Sequence, residues 1–527
     1  MDPVTTVVVL MLAVAVFALL ASKIGIPYPT MMVIGGLVIC CVPRLHTVDL
    51  EPRLIFTLFL PPLLYGAAWQ TSWKEFWTNR RPIFLLAVGL VLFTTAGVAL
   101  LAMHFIPGFT WPTAFALGAI VSPPDAIAVT AMTKKIRLPK RIILLLEGES
   151  LVNDASALVA LKFAIAATVT GQFSMAHAAG EFVLASGGGV LLGLLIGWTV
   201  AEIHLRMRDP LIETTITFLT PYATYLLGEQ IHVSGVLATV AAGLYISWRA
   251  PSIMKPQVRL ETNAVWAFVL FMLNGFVFVL VGLGLPAVMK ALPDFTVAQL
   301  IGYGVLLTTG MIVLRMAWVV PGTFLPWLLT RHRRKGDPRP SIAQTILLGW
   351  TGMRGVVSLA AALALPTVIS TGQPFPNRGV IIFLSFFIIL VTLVLQSLTL
   401  PMVVRLLGAQ TAEDQAAEER EARLYAARVA LSFLKDLTES TDAFGELGVE
   451  LRTHYERRIS RLESGPVALP ISAVGIDTNF MDLQREALSA ERQAIVELRA
   501  NQKISTELFQ RLMSDVDVEE MRVAGEG

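Results

Sequence analysis

Three carboxylates crowd into one apolar stretch of this 527-residue chain, within Glu147-Gly-Glu-Ser-Leu-Val-Asn-Asp154. On a helix, Glu149 and Asn153 are one turn apart, as are Ser150 and Asp154, so the two pairs lie on adjacent faces. Two carboxylates, an amide oxygen and a hydroxyl then sit within two turns. Small alkali cations are hard and prefer oxygen ligands, so such a cluster can replace a hydration shell. A carboxylate taken out of water also holds a proton more readily, and a bound cation drives that proton off. A single carboxylate that takes either a proton or a cation has the property that coupled exchange of the two requires. The plainer alternative is that these acids only bridge helices.

Other charges also stand where none is cheap: Asp125, Lys162, Arg315 and Arg354 all lie within apolar runs. A charge at mid-bilayer costs several kcal/mol unless it is paired or wet. Asp125 belongs to Ser122-Pro-Pro-Asp-Ala-Ile-Ala-Val129, where Pro123 and Pro124 remove backbone donors and break the helix. Broken backbone at that depth is tolerated only where it is buried or lines a cavity. Arg354 lies among Gly349, Gly352 and Gly355 in a second interrupted run, 349–366. Close packing of a glycine-rich helix is the alternative there. A buried guanidinium needs an acidic partner, and for Arg315 the best candidate is Glu149. Lys162 is near a helix end and can snorkel to the interface. Glu147 is left open as a residue at the mouth of a pathway, and Glu181, Glu202 and Glu213 are expected at the interface. The seven histidines show no metal-like spacing, and the apolar runs hold no nucleophile–base pair. No enzyme and no cofactor is expected, nor any nucleic-acid partner.

These residues are positioned by long apolar helices. The chain is 55% hydrophobic and only 15% charged, where a soluble domain would carry roughly 25% charge. Runs of about 20 apolar residues, enough to cross a bilayer core, recur through residues 1–407. The pattern predicts an all-α polytopic membrane protein with about thirteen spans: 4–22, 28–43, 54–72, 82–105, 111–132, 143–169, 181–202, 211–228, 233–248, 264–286, 299–328, 342–370 and 379–404. Alternate loops hold 19 and 4 lysines and arginines, and the positive-inside bias puts the N-terminus outside and the C-terminal tail in the cytoplasm. The start, Met1-Asp-Pro3, lacks the basic flank of a cleavable signal, so the first run is expected to be retained. The only cysteines, Cys40 and Cys41, are adjacent, and a disulfide is not expected. Residues 408–527 change to dense charge of both signs with helical periodicity, interrupted by a glycine- and proline-containing stretch at 464–475. This predicts a separate cytoplasmic helical domain. With halves 1–6 and 8–13, both interrupted runs are fifth in their half. That is the pointer to two inverted repeats with a site between broken crossing helices 5 and 12.

Gly148-Glu-Ser-Leu-Val-Asn-Asp-Ala155, the Pro-Pro-Asp run and Gly352-Met-Arg-Gly-Val-Val-Ser358, extended through Pro366, resemble the signature segments of the monovalent cation:proton antiporter family. The likeness is to its Asn-Asp (sodium/proton exchanger) branch, in the bacterial form with a cytoplasmic tail. It covers residues 1–407. The resemblance implies a thirteen-helix fold with a dimer domain and a mobile core domain, working as a homodimer in the lipid of the bacterial inner (plasma) membrane. It implies exchange of Na+ for H+, with Li+ or K+ as alternatives, in an electroneutral one-for-one ratio because Asn153 replaces a second aspartate, and a part in pH homeostasis. Asp154 becomes the cation- and proton-binding carboxylate, with Ser150 a Na+ ligand and Asn153, Asp125 and Pro124 around it. Glu149 and Arg315 become a buried ion pair, and Arg354 marks the other broken helix. Two departures bear on selectivity. Pro124 stands where the family often has threonine, and the segment 59–69 of the third span supplies no acid. A potassium/proton antiporter of the same fold and a gated cation channel are the rival readings.

Overall fold

The computed structural model describes residues 3–40, 52–71, 73–133, 138–171, 175–207, 209–290, 295–330, 341–408, 412–440, 445–464, 478–500, 503–504 and 506–525. Cys41, the loop bases Lys134, Lys135, Arg137 and Arg208, those of 331–339 and most of the 464–475 stretch lie outside them. Among the described residues every regular element is a helix, and the only β pairing is two isolated bridges. Seven helical stretches are long and apolar enough to cross a bilayer, and two shorter helices are also apolar.

The apolar part begins with α1 (Pro3–Ile24), α2 (Tyr28–Cys40), α3 (Pro52–Gln70) and the short α4 (Trp73–Thr78). The fourth apolar run is α5 (Arg80–Phe84) and α6 (Val91–Phe105), joined by a π-helical turn, Leu85–Leu90. Wide turns of this kind free a carbonyl, and here the Leu85 carbonyl accepts a hydrogen bond from the Trp318 indole at 3.2 Å. The fifth run is broken. α7 (Trp111–Val121) and α8 (Ile127–Thr133) flank a five-residue gap centred on Pro123 and Pro124. α9 (Lys140–Thr170) is unbroken over 31 residues and ends on Gly171 at φ +71°. It is followed by α10 (Met175–Arg206), α11 (Pro210–Gln230), α12 (Gly235–Ile253), α13 (Pro256–Lys290) and α14 (Val297–Thr330). The second broken run is α15 (Ile342–Trp350) and α16 (Val356–Leu363), and α17 (Arg378–Leu406) closes the series. The twelfth span is therefore shorter than expected. Its helix stops at Leu363 because Pro366 lacks a donor and restricts the residue before it.

The chain divides into two compact units. The larger holds residues 1–202, 216–248 and 266–410. Within it α6 packs on α7, α7 on α9, and α14 on α6, α15 and α17. The α6–α7 approach is close enough that a Cβ on Gly118 would lie 2.4 Å from the Thr95 carbonyl oxygen. The smaller unit holds 203–215, 249–265 and 411–527. Its own helices are α18 (Ala412–Ser440), α19 (Gly445–Ser464), α20 (Thr478–Ala500) and α21 (Thr506–Gly525). Alanine and leucine side chains of α18 pack with those of α20 and α21 in one cluster and of α19 and α20 in another. Within this unit Arg259 and Arg492 both reach Asp517, and Arg458 makes a two-point pair with Glu491 at 3.0 and 2.8 Å. Glu213, expected at the interface, is buried against His204 at 3.2 Å. Asp209 caps the first turn of α11 and so turns it back on the last turn of α10.

Candidate functional site

The two broken helices meet at their gaps. Pro124 and Arg354 form an antiparallel β-bridge, and the Asp125 N–H donates to the Met353 carbonyl at 2.7 Å. Four helix ends therefore meet inside the bundle, each with unpaired backbone groups and a partial charge. One basic and one acidic residue attend to them. Arg354 donates through Nε to the Val121 carbonyl and through a terminal nitrogen to that of Gly352, both at 2.6 Å. The first carbonyl is at the negative end of α7, and the second lies in the gap just past α15. Asp125 Oδ1 accepts the Ile127 N–H at 2.8 Å, at the positive end of α8. The same carboxylate rests on Gly355, the residue before α16, where a Cβ would meet Asp125 Oδ2 at 1.7 Å. Only glycine admits that approach. Arg354 is thus held by carbonyls where the sequence shows only a charge among glycines.

α9 runs alongside and carries the carboxylate cluster. Asn153, fully buried, donates through Nδ2 to the Pro124 carbonyl at 2.7 Å, which ties the gap to the unbroken helix. Its Oδ1 has no partner among the described residues. Ser150 Oγ accepts the Ala126 N–H at 3.4 Å. Asp154 follows one turn on, 8% exposed.

Asp125, Ser150, Asp154 and Ser358 line one cavity of about 110 Å³. That is room for several waters or a partly hydrated small ion. The cavity continues past Gln70, Thr71, Thr130 and Glu147. Glu147 lies seven residues before Asp154 on α9, roughly 10 Å along the helix axis. Asn153 and Pro124 do not line the cavity. They hold each other behind its wall.

Glu149 points elsewhere. Its two oxygens accept from Arg315 at 2.7 and 2.9 Å, with exposures of 0% and 2% for the pair. Arg315 donates further to the Leu348 carbonyl at 3.3 Å, linking α9, α14 and α15. Lys162 meets Glu229 at 3.2 Å near the surface. Nothing in the sequence singles out Ser358. A lone serine in an alanine- and leucine-rich run carries no signal beyond its place three residues after the second gap.

The profile of the family described as "Sodium/hydrogen exchanger, transmembrane" matches residues 8–406. A sodium, potassium, lithium and rubidium/H+ antiporter of Bacillus pumilus is 35% identical over 490 residues, 91% of this chain and 72% of that protein. A protein of Escherichia coli described as an uncharacterised Na+/H+ exchanger is 33% identical, over 94% of this chain and 93% of its own. The solved structure of a sodium proton antiporter from Methanocaldococcus jannaschii has the same fold, with a TM-score of 0.60 at 20% identity, and the match covers 77% of this chain and all of the other.

Proposed function

This chain belongs to the sodium/hydrogen exchanger family of membrane transporters, and we propose that it exchanges one Na+ for one H+ at Asp154 by alternating access. The observation that carries the reading is the cavity that joins Asp154 and Ser150 to the crossing of two broken helices. No hydrogen-bond partner competes for the Asp154 carboxylate among the described residues. It is therefore available to a cation or a proton, and each displaces the other. Either occupant leaves the site with the same net charge, since Asn153 does not titrate. One exchange then moves no charge across the membrane.

The cavity runs from Asp154 toward the end of α9 that carries Lys140 and Arg141. By the loop-charge bias that end is cytoplasmic, and on this reading the cavity leads inward from Asp154. On this reading residues 1–407 form the transport domain in the plasma membrane as a homodimer, and the tail, 408–527, is a cytoplasmic appendage that tunes the rate. The cations for which the Bacillus pumilus antiporter is named support Na+ and also Li+ and K+ as cargo.

The test is reconstitution. Proteoliposomes holding the wild-type chain are expected to take up Na+ against an outward proton gradient, at a rate unchanged by an imposed membrane potential. Asp154→Asn is expected to abolish uptake while remaining folded. Retained pH-driven uptake in Asp154→Asn would remove the mechanism. A rate that follows the potential would remove the one-for-one ratio.

A further inference from the structure

Hydroxyls buried in apolar helices ordinarily bond back to the carbonyl four residues earlier, which satisfies them without a tertiary partner. Those of Thr308, Ser385 and Thr392 do so at 2.7–2.8 Å, and that of Ser156 at 3.3 Å. Ser358 cannot follow the rule in the same way. Four residues before it stands Arg354, inside the gap between α15 and α16, and its carbonyl is not part of the helix. The Ser358 side chain is 2% exposed, and its Oγ has no hydrogen-bond partner among the described residues. It lines the cavity that holds Asp154 and Ser150.

A buried hydroxyl without a partner calls for an explanation, because the lost hydration is not returned by the protein. A water or an ion in the cavity would return it. α9 supplies a carboxylate and a hydroxyl to the lining, and α16 of the second broken helix supplies Ser358. The neutral oxygen of a serine suits a monovalent hard cation, which needs several oxygen ligands but little added negative charge. Pro124, whose carbonyl is engaged by Asn153, does not line the cavity, and the third span brings it no acid.

We propose that Ser358 Oγ is a direct ligand of the transported cation, contributed by α16 to the cavity that Asp154 and Ser150 of α9 line. The cation then bridges the unbroken helix and the second broken helix, whereas a proton on Asp154 does not. This rests on the reading of Asp154 as the exchange site.

The test measures Na+-dependent proton exchange in proteoliposomes of wild type, Asp154→Asn, Ser358→Ala and Ser358→Cys, with thermal melting of each in detergent. Loss of the ligand is expected to raise the apparent KM for Na+ about tenfold in Ser358→Ala, the size of one charge-assisted contact. The maximal rate and melting temperature should stay close to wild type. Ser358→Cys is near the native volume but offers sulfur, a poor ligand for a hard cation, and should show the same rise. It decides the matter if Ser358→Ala is not recovered folded. An unchanged KM in the folded variants, or a lower maximal rate with KM unchanged, overturns the ligand assignment. Inactive wild type or active Asp154→Asn instead overturns the reading it rests on.

Discussion

Arg315 and Glu149 face each other through two hydrogen bonds of 2.7 and 2.9 Å in the interior of the bundle, 166 residues apart in sequence. A buried pair of this kind is held less by its own attraction than by the penalty for leaving either charge alone. Glu149→Gln or Arg315→Ala is expected to lower stability by about 3–5 kcal/mol, and a Glu149→Gln/Arg315→Met double to recover part of it. Melting of the two singles and the double in detergent checks this. Strict additivity would mean that the pair does not couple, and a stable but inactive Glu149→Gln would move Glu149 into the transport site.

Asn153 holds the gap of the first broken helix through its amide donor and the Pro124 carbonyl. Asn153→Ala leaves that carbonyl unpaired and is expected to lose about 1–3 kcal/mol. Asn153→Asp is expected to be worse at pH 8, since an ionised carboxylate only accepts and would face another acceptor. A Tm for Asn153→Asp at or above wild type would show that the amide is not what ties the gap.

Gly355 separates two outcomes of the same substitution. A methyl there would lie 1.7 Å from Asp125 Oδ2 and 2.4 Å from its Cβ, so rotation of the side chain alone does not relieve it. Gly355→Ala is expected to abolish exchange and reduce the folded yield. Gly302→Ala, exposed on α14 with nothing within 4 Å, is expected to be neutral or to stabilise by about 0.5–1 kcal/mol. Equal behaviour of the two in uptake and melting would contradict the contact.

In α19, His454 is held below its ordinary value of 6.5, first by burial and then by the guanidinium groups of Arg458, Arg461 and Arg457. The unfolded chain therefore takes up the proton more readily than the folded one. Stability is full above about pH 6.5 and falls as the pH drops below it. Hydrogen exchange across 445–464 in the full chain should be faster at pH 5.5 than at 7.5 after correction for intrinsic rates, and His454→Gln should shrink the difference. The same pH response in His454→Gln would assign it to another group.

The apolar runs, both interruptions and the carboxylate-rich helix are legible in the sequence, because each is a local property. Pro123 and Pro124 lack donors wherever they stand, and the acids of α9 carry their own spacing. The acidic partner of Arg315 was also legible, since few acids share the bilayer. The tertiary structure alone decided what Arg354 and Asp125 do. Their partners are backbone groups at helix ends, and any residue has a carbonyl and nearly any an N–H, so no residue type marks them. It alone buried Glu213 against His204, through a turn set by Asp209. It alone set Ser358 in the same cavity as Asp154, some 200 positions away along the chain, because a hydroxyl becomes conspicuous only when the fold withholds its usual carbonyl.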